Sequence, residues 1–74
     1  MRGQIKMKLS ARNQLKGIVK EIKMGAINAK VTIDINGQML TSVVTIDAIE
    51  DLGIKVGDEV TSVIKSSSVM LMVD

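Results

Sequence analysis

The clearest pattern in the chain lies in Ala26 to Ile35, where apolar and polar residues alternate strictly from Ile27 onward. Such alternation is typical of a half-buried β-strand, with one face in the core and one in solvent. The dipeptide Asn36-Gly37 follows, and it readily adopts the positive φ angles of a type I′ turn. The pattern therefore predicts a tight hairpin that leads into a second strand, Gln38 to Ile46.

A strand is also predicted ahead of this hairpin, from Leu15 to Ile22. Its apolar spacing would suit a helix as well, so periodicity alone does not decide. Gly17 in the middle is a poor helix residue, and Gly25 offers a turn into the next strand. Both features favour a strand.

The segment TIDAIEDLG predicts one or two helical turns after the hairpin. Asp47 is the expected N-cap, Glu50 the capping-box acid and Gly53 the C-terminal cap. A threonine in the position of Thr45 is also more often a cap that precedes a helix than a ligand contact. The rest predicts a mainly β fold, a small five-stranded OB-type barrel with one short helix between strands 3 and 4. Its remaining parts are a turn at Val56-Gly57-Asp58, a fourth strand Glu59 to Lys65, a loop Ser66 to Ser68 and a fifth strand Val69 to Val73.

The length of the chain points to a partner subunit. A domain of 74 residues has a marginal core, and natural domains of this size usually add disulfides, a structural metal or oligomerisation. The chain has no cysteine and no histidine, which excludes a disulfide framework and a thiolate or imidazole zinc site. Hydrophobic residues make up 46% of it, more than so small an interior holds, so we expect a homo-oligomer.

Composition also limits location and partners. Apolar runs such as Val69 to Val73 are far shorter than the about 20 residues of a membrane span, and MRGQIKMKL lacks the apolar run of a secretion signal. We therefore expect a cytoplasmic protein that neither spans nor contacts a membrane. The net charge of +2 is small and dispersed, and there is no aromatic residue to stack on bases, so we expect no nucleic-acid partner.

The same absences argue against an enzyme. Without histidine or cysteine, the commonest general base and the thiol nucleophile are missing. The eight acidic residues fall in predicted turns, caps and solvent faces. The six methionines are best explained as initiator, core and interface residues and not as a soft-metal site.

Two polar clusters remain by elimination: Ser10-Ala11-Arg12-Asn13, and Lys65-Ser66-Ser67-Ser68. Both are rich in hydrogen-bond donors and free of carboxylates, which is what a tetrahedral dianion requires. One cation balances half of such a charge, so a site would need both clusters. Composition alone leaves open the alternative that these are ordinary turn and surface residues.

With SARNQLKG, TSVVTIDAIEDLGIKVGDEVTSVIK and KSSSVM in view, the chain resembles the molbindins, or Mop proteins, which are small molybdate-binding proteins. The resemblance runs from Met7 to Val73. It implies a hexamer, a trimer of dimers that exchange strands, with molybdate or tungstate bound between subunits and no further cofactor. It also implies one domain over residues 7–74 after a poorly ordered extension, residues 1–6.

The resemblance assigns contacts residue by residue. Ser10 and Arg12 resemble family contacts to the oxyanion, Thr45 resembles another, and Lys65 and Ser66 resemble contacts from a neighbouring chain. It implies reversible binding for molybdenum storage, buffering or homeostasis. The alternative is a structural or regulatory oligomerisation module of a transport or gene-regulation system. The expected oxyanion-binding set is Ser10, Ala11, Arg12, Asn13, Thr45, Lys65, Ser66 and Ser67.

Overall fold

A computed structural model describes residues 11–74 of the chain. This part consists of four strands, one α-helix and one 3-10 turn, and the expected extension at residues 1–6 lies outside it. The elements are β1 Ala11–Met24, β2 Asn28–Ile35, β3 Gln38–Thr45, α1 Ile46–Leu52, β4 Glu59–Lys65 and the 3-10 turn Ser66–Ser68.

The four strands form one antiparallel sheet in the order β3-β2-β1-β4. The 14-residue β1 serves both halves of it: Ala11 to Ile18 pair with β4, and Ile18 to Met24 pair with β2. The predicted strand was therefore correct in type, but it is longer than Leu15 to Ile22. The sheet surrounds a concave apolar face, which gives half of the expected barrel.

The predicted hairpin is confirmed. Asn36 and Gly37 have φ angles of 53° and 91°, as a tight turn of this kind requires. The carboxylate of Asp34 accepts a hydrogen bond of 2.7 Å from the Gly37 amide and closes the turn. From the pair of Ile35 with Gln38 onward, β2 and β3 keep a regular register without a bulge to the pair of Asn28 with Thr45.

Gly17 lies where β1 passes from β4 to β2, and the structure adds a second role to the expected one. A Cβ atom there would lie 2.6 Å from the Ile33 side chain and 2.7 Å from the Asp34 carbonyl oxygen. The glycine therefore permits a close approach of strands, in addition to disfavouring a helix.

The core is small and lies between the concave face and α1. Its buried residues are inward-facing members of β1 and β2, joined by one helix residue, and each is at most 5% exposed. They are Val19, Ala29, Val31, Ile33 and Ile49. Many large apolar side chains elsewhere are exposed, which agrees with the expectation that this chain has a partner.

The helix begins at Ile46, two residues before the start that an N-cap at Asp47 would give. Thr45, and not Asp47, is the N-cap: its hydroxyl oxygen accepts a hydrogen bond of 3.1 Å from the Ala48 amide. Asp47 lies in the first turn, where a carboxylate favours the positive end of the helix dipole. Glu50 is therefore too far along to act as the capping-box acid. Gly53 is confirmed as the C-terminal cap, with a φ of 66°.

The fifth strand is not formed within one described chain. Ser66–Ser68 is a 3-10 turn where a loop was expected, and Val69 to Val73 pair with no strand among residues 11–74. A strand needs a neighbour for its backbone groups, and this chain places none beside the segment. No helix in residues 11–74 is long and apolar enough to span a membrane.

Candidate oxyanion site

The two polar clusters of the sequence meet in one chain. Ala11 is the partner of Lys65 in the β1–β4 ladder, and the next pair is Asn13 with Ile64. Paired residues of antiparallel strands have Cα atoms about 4.5–5.5 Å apart. One chain therefore already places the backbone of Ala11 beside that of Lys65. That Lys65 and Ser66 contact the ligand of a neighbouring chain stays a prediction.

A β-bulge lies at this junction. Two steps along β1, from Ala11 to Asn13, correspond to one step along β4, so Arg12 is the extra residue. A bulge bends its strand and changes the direction of its side chains, and such irregularities are common beside functional sites. The backbone of Arg12 therefore lies between Ala11, which pairs with Lys65, and Asn13, which pairs with Ile64.

The two segments that meet at this junction contain no acidic residue. The chain has no Asp or Glu from Ala11 to Lys20 or from Val60 to Val73. Lys65 and Ser66 are exposed, so both can reach a dissolved anion. Two cationic residues in two adjoining segments without an acidic residue are a composition that favours an anion of charge −2.

Asn13 lies beside the bulge, and its contact with an oxyanion stays a prediction. It is partly buried, and its side-chain Nδ2 donates to the Ile64 carbonyl oxygen at 3.4 Å. This contact spans the strand pair beside the bulge. The amide group therefore contacts the backbone of β4 through one N–H, and its second N–H remains available as a donor.

Thr45 lies far from this junction within one chain. It pairs with Asn28, near the Met24 end of β1, whereas Lys65 pairs at the Ala11 end. The two residues also belong to β3 and β4, the opposite edges of the sheet. The Thr45 hydroxyl accepts from Ala48 and keeps its own proton for another acceptor. One chain does not bring Thr45 to Lys65.

The remaining predicted residues complete the comparison. Ser10 lies outside the described residues. Ser67 is exposed in the 3-10 turn, where the Ser66 carbonyl accepts a hydrogen bond of 3.2 Å from the Val69 amide.

Sequence reasoning did not single out Ser62, whose hydroxyl oxygen is buried without a hydrogen-bond partner in the described residues. Its inward position in the alternation of β4 was the available signal. The described residues contain no group of three acidic side chains placed to hold a metal ion.

Comparison with known proteins gives concordant results. The family model described as TOBE domain matches residues 9–71. Molybdenum-pterin-binding protein 3 of Clostridium pasteurianum is 51% identical over 67 residues, which are 89% of this chain and 98% of that protein.

Two solved structures share the fold. The molybdate-binding protein from Sporomusa ovata superposes with a TM-score of 0.85 at 39% identity, covering 89% of this chain and 98% of that one. The cytoplasmic molybdate-binding protein ModG, solved with molybdate bound, gives a TM-score of 0.75 at 48% identity, covering 80% of this chain and 43% of that one. These matches confirm the sequence resemblance, and the chain belongs to the TOBE domain family, among the small molybdenum-pterin-binding proteins of the Mop type.

Proposed function

We propose that this protein binds molybdate, or tungstate, reversibly as an intact oxyanion. The observation that carries the proposal is the pairing of Ala11 with Lys65, which joins two donor-rich, carboxylate-free segments at a β-bulge. The related proteins described as molybdate-binding support the choice of ligand. Binding involves no covalent step, and the protein is not an enzyme.

Within the proposed site, charge and hydrogen bonding have separate donors. Arg12 and Lys65 balance the two negative charges, and the hydroxyls of Ser10 and Ser66 donate to the oxygens. Backbone amides near Ala11 and Ser67 supply further donors. A bulged strand and a 3-10 turn have amides outside the regular ladder, which suits them to this role.

The site is completed by a second copy of the chain. Thr45 lies at the opposite end and the opposite edge of the sheet from Lys65, so a subunit interface is needed to add its hydroxyl. We propose a hexamer, a trimer of dimers that exchange strands, as the functional assembly. The many exposed large apolar side chains support an oligomer of this kind.

The cellular role that fits this site is storage or buffering of molybdenum in the cytoplasm. ModG, to which the chain is similar, is described as cytoplasmic. Residues 7–74 would form the single binding domain, with residues 1–6 as an extension. The same fold could act instead as an oligomerisation module of a transport or regulatory system, and that role predicts assembly without affinity for the ligand.

Native mass spectrometry with molybdate, and separately with equimolar sulfate, tests the proposal. We expect a hexamer that gains molybdate in discrete steps and takes up little sulfate. Lys65→Gln should lose most of the bound molybdate, whereas the matched control Lys23→Gln, at the far end of β1, should retain it. A hexamer without molybdate uptake would favour the oligomerisation module, and a monomer would reject the interface site.

A further inference from the structure

The solvent face of α1 is acidic along its whole length. Asp47, Glu50 and Asp51 are exposed, and their spacing of three and four positions places them on one side of the helix. Like charges at this spacing repel each other and destabilise a helix. Glu50 and Asp51 also lie in the last turn, where the helix dipole favours a cation, and this turn contains no basic residue. These two acidic residues are therefore unfavourable for the helix that carries them.

The strands beneath α1 offer this face no positive charge. β2 and β3 make the main contacts with α1, and the one cationic residue they contain is Lys30. Lys30 is exposed between the buried Ala29 and Val31, so it points to the sheet face away from the core and from α1. From residue 46 to residue 58 the chain has four acidic residues and one lysine. The acidic face of α1 is therefore not neutralised by the elements next to it.

The residues that precede β1 carry the opposite charge. This N-terminal segment, residues 1–10, contains Arg2, Lys6 and Lys8 and no acidic residue. Apolar and polar residues alternate through its last six positions, so in extended conformation both lysines would lie on one face. The structure describes the chain that follows the segment. Its charge and its pattern suit an acidic surface along which it can lie extended.

The helix nearest to this segment belongs to a second copy. In one chain, α1 starts near Met24, whereas the segment joins β1 at Ala11, the other end of that strand. In the proposed oxyanion site, Thr45 of one copy lies beside Ser10 of another, and α1 starts directly after Thr45. An extended chain advances about 3.3 Å per residue and a helix about 1.5 Å. The residues before Ser10 are therefore long enough to cover all of α1 in the other copy.

We infer that the N-terminal segment of one copy lies along the acidic face of α1 in the copy that supplies Thr45, with its lysines paired to the acidic residues of the last turn. The inference rests on the proposed function, because the shared oxyanion site brings these two elements together. Ser10 is the last residue of the segment, and Thr45 directly precedes the helix. The contact therefore holds the two sides of the oxyanion site against each other.

This contact adds an ionic part to the subunit interface. A single exposed ion pair stabilises little, but several opposite charges in one contact also relieve the repulsion within the helix face. Dissolved salt screens such charges over about 10 Å at 0.1 M and over about 3 Å at 1 M. Without molybdate present, the assembly should therefore weaken about tenfold between these two salt concentrations.

Carbodiimide cross-linking of the native chain tests the contact, because it joins a lysine amine to a carboxylate only where the two meet. Unlabelled and ¹⁵N-labelled chains are unfolded and refolded together, then cross-linked at low salt. We expect peptides that join a lysine of the N-terminal segment to Glu50 or Asp51, with different isotope labels in the two halves. Lys16, exposed on β1, is the internal control and should not be joined to α1.

The labels and the ligand separate the outcomes. Cross-links whose halves always carry the same label would show that the segment contacts its own helix, and would overturn the contact between copies. Cross-links from the segment to other carboxylates, with none to α1, would reject the surface. Molybdate uptake is measured in parallel by native mass spectrometry. Uptake without these cross-links rejects this inference alone, and mixed-label cross-links without uptake reject the proposed ligand alone.

Charge reversal gives a second measurement, made by analytical ultracentrifugation without ligand. Glu50→Lys with Asp51→Lys places cations in the last turn of α1, which favours the helix, so the subunit should keep its stability. Assembly should nevertheless weaken about tenfold at low salt and stay unchanged in about 1 M salt. Adding Lys6→Glu and Lys8→Glu should restore assembly, because the charges of the two elements are then opposite again.

A matched control makes the same change of charge elsewhere. Lys16→Glu with Lys20→Glu alters two exposed positions of β1 and, combined with the reversed helix, should restore nothing. Equal recovery in this control would reject the specific contact and leave net charge as the cause. Failure of the N-terminal variant to recover, in a chain that keeps its β-sheet circular dichroism, would contradict the pairing of the segment with α1.

Discussion

Ala11 is the ladder partner of Lys65, although 54 positions separate them in the numbered sequence. The extra residue of the adjoining bulge is Arg12, so both cationic residues of the proposed site belong to one strand pair. In the proposed site, a single subunit therefore supplies both cationic residues, and the Thr45 hydroxyl is proposed to come from another copy. This division predicts that substitution of Arg12 or Lys65 changes ligand affinity even in a dimer. It also predicts that Thr45 affects affinity only when the subunits assemble.

Asn13 is predicted to position the bulge and not to bind the ligand itself. Asn13→Ala removes its contact with the Ile64 carbonyl and should destabilise the fold by about 0.5–1.5 kcal/mol. Molybdate affinity, measured by isothermal titration calorimetry, should fall moderately because Arg12 loses its support. Gln14→Ala, at the neighbouring exposed position, is the control. A large loss of affinity with unchanged unfolding would instead identify Asn13 as a direct ligand contact.

Thr45 is predicted to have a measurable structural role apart from any ligand. Thr45→Ala removes the acceptor of the Ala48 amide and should lower the free energy of unfolding by about 1 kcal/mol, as measured by urea denaturation. Thr45→Ser should retain most of that stability. Thr41→Ala, another exposed position of β3, controls for loss of a strand hydroxyl. Equal stability of Thr45→Ala and the native chain would mean that the cap contributes nothing.

Gly17 is predicted to tolerate no side chain. The Cβ atom of Gly17→Ala would lie within 2.6–2.7 Å of Ile33 and of the Asp34 carbonyl, so strands must separate to admit it. We expect a destabilisation of about 1–3 kcal/mol, as for other overpacked interiors. Thermal unfolding compares it with Lys16→Ala, an exposed neighbour. If both variants have the melting temperature of the native chain, the close approach of the strands at Gly17 does not exclude a side chain there.

Ligand binding is predicted to stabilise the assembly and to depend little on pH. Molybdate at a hundredfold excess over Kd should add about 2.7 kcal/mol, seen as a higher melting temperature. The chain has no histidine to titrate, so affinity should stay nearly constant between about pH 6 and 8. An unchanged melting temperature at saturation would contradict an interface site. A steep affinity change across that pH range would contradict the proposed residues.

Local sequence was sufficient for the elements whose causes are local. Alternation and the Asn36-Gly37 dipeptide predicted β2, β3 and their turn, because side-chain period and positive φ are properties of neighbouring residues. Gly53 was likewise recognisable as a helix end. Asp and Thr are both acceptable caps, so local sequence favoured neither Thr45 nor Asp47 decisively. In the structure Thr45 accepts from the Ala48 amide, and Ile46 packs against the core.

Elimination and resemblance identified the candidate site residues from the sequence. Neither predicted how the structure arranges them. A bulge at Arg12 depends on how β1 and β4 align, which no spacing within either strand reveals. The burial of Ser62, the close approach at Gly17 and the separation of Thr45 from Lys65 also arise from contacts between distant segments. The sequence by itself determined strands β2 and β3 and the turn between them, since these follow from residue type and period, and its resemblance to a family indicated the ligand. The tertiary structure decided which of those residues meet and left the fifth strand without a partner in its own chain, because pairing register and edge exposure exist only once the sheet has formed.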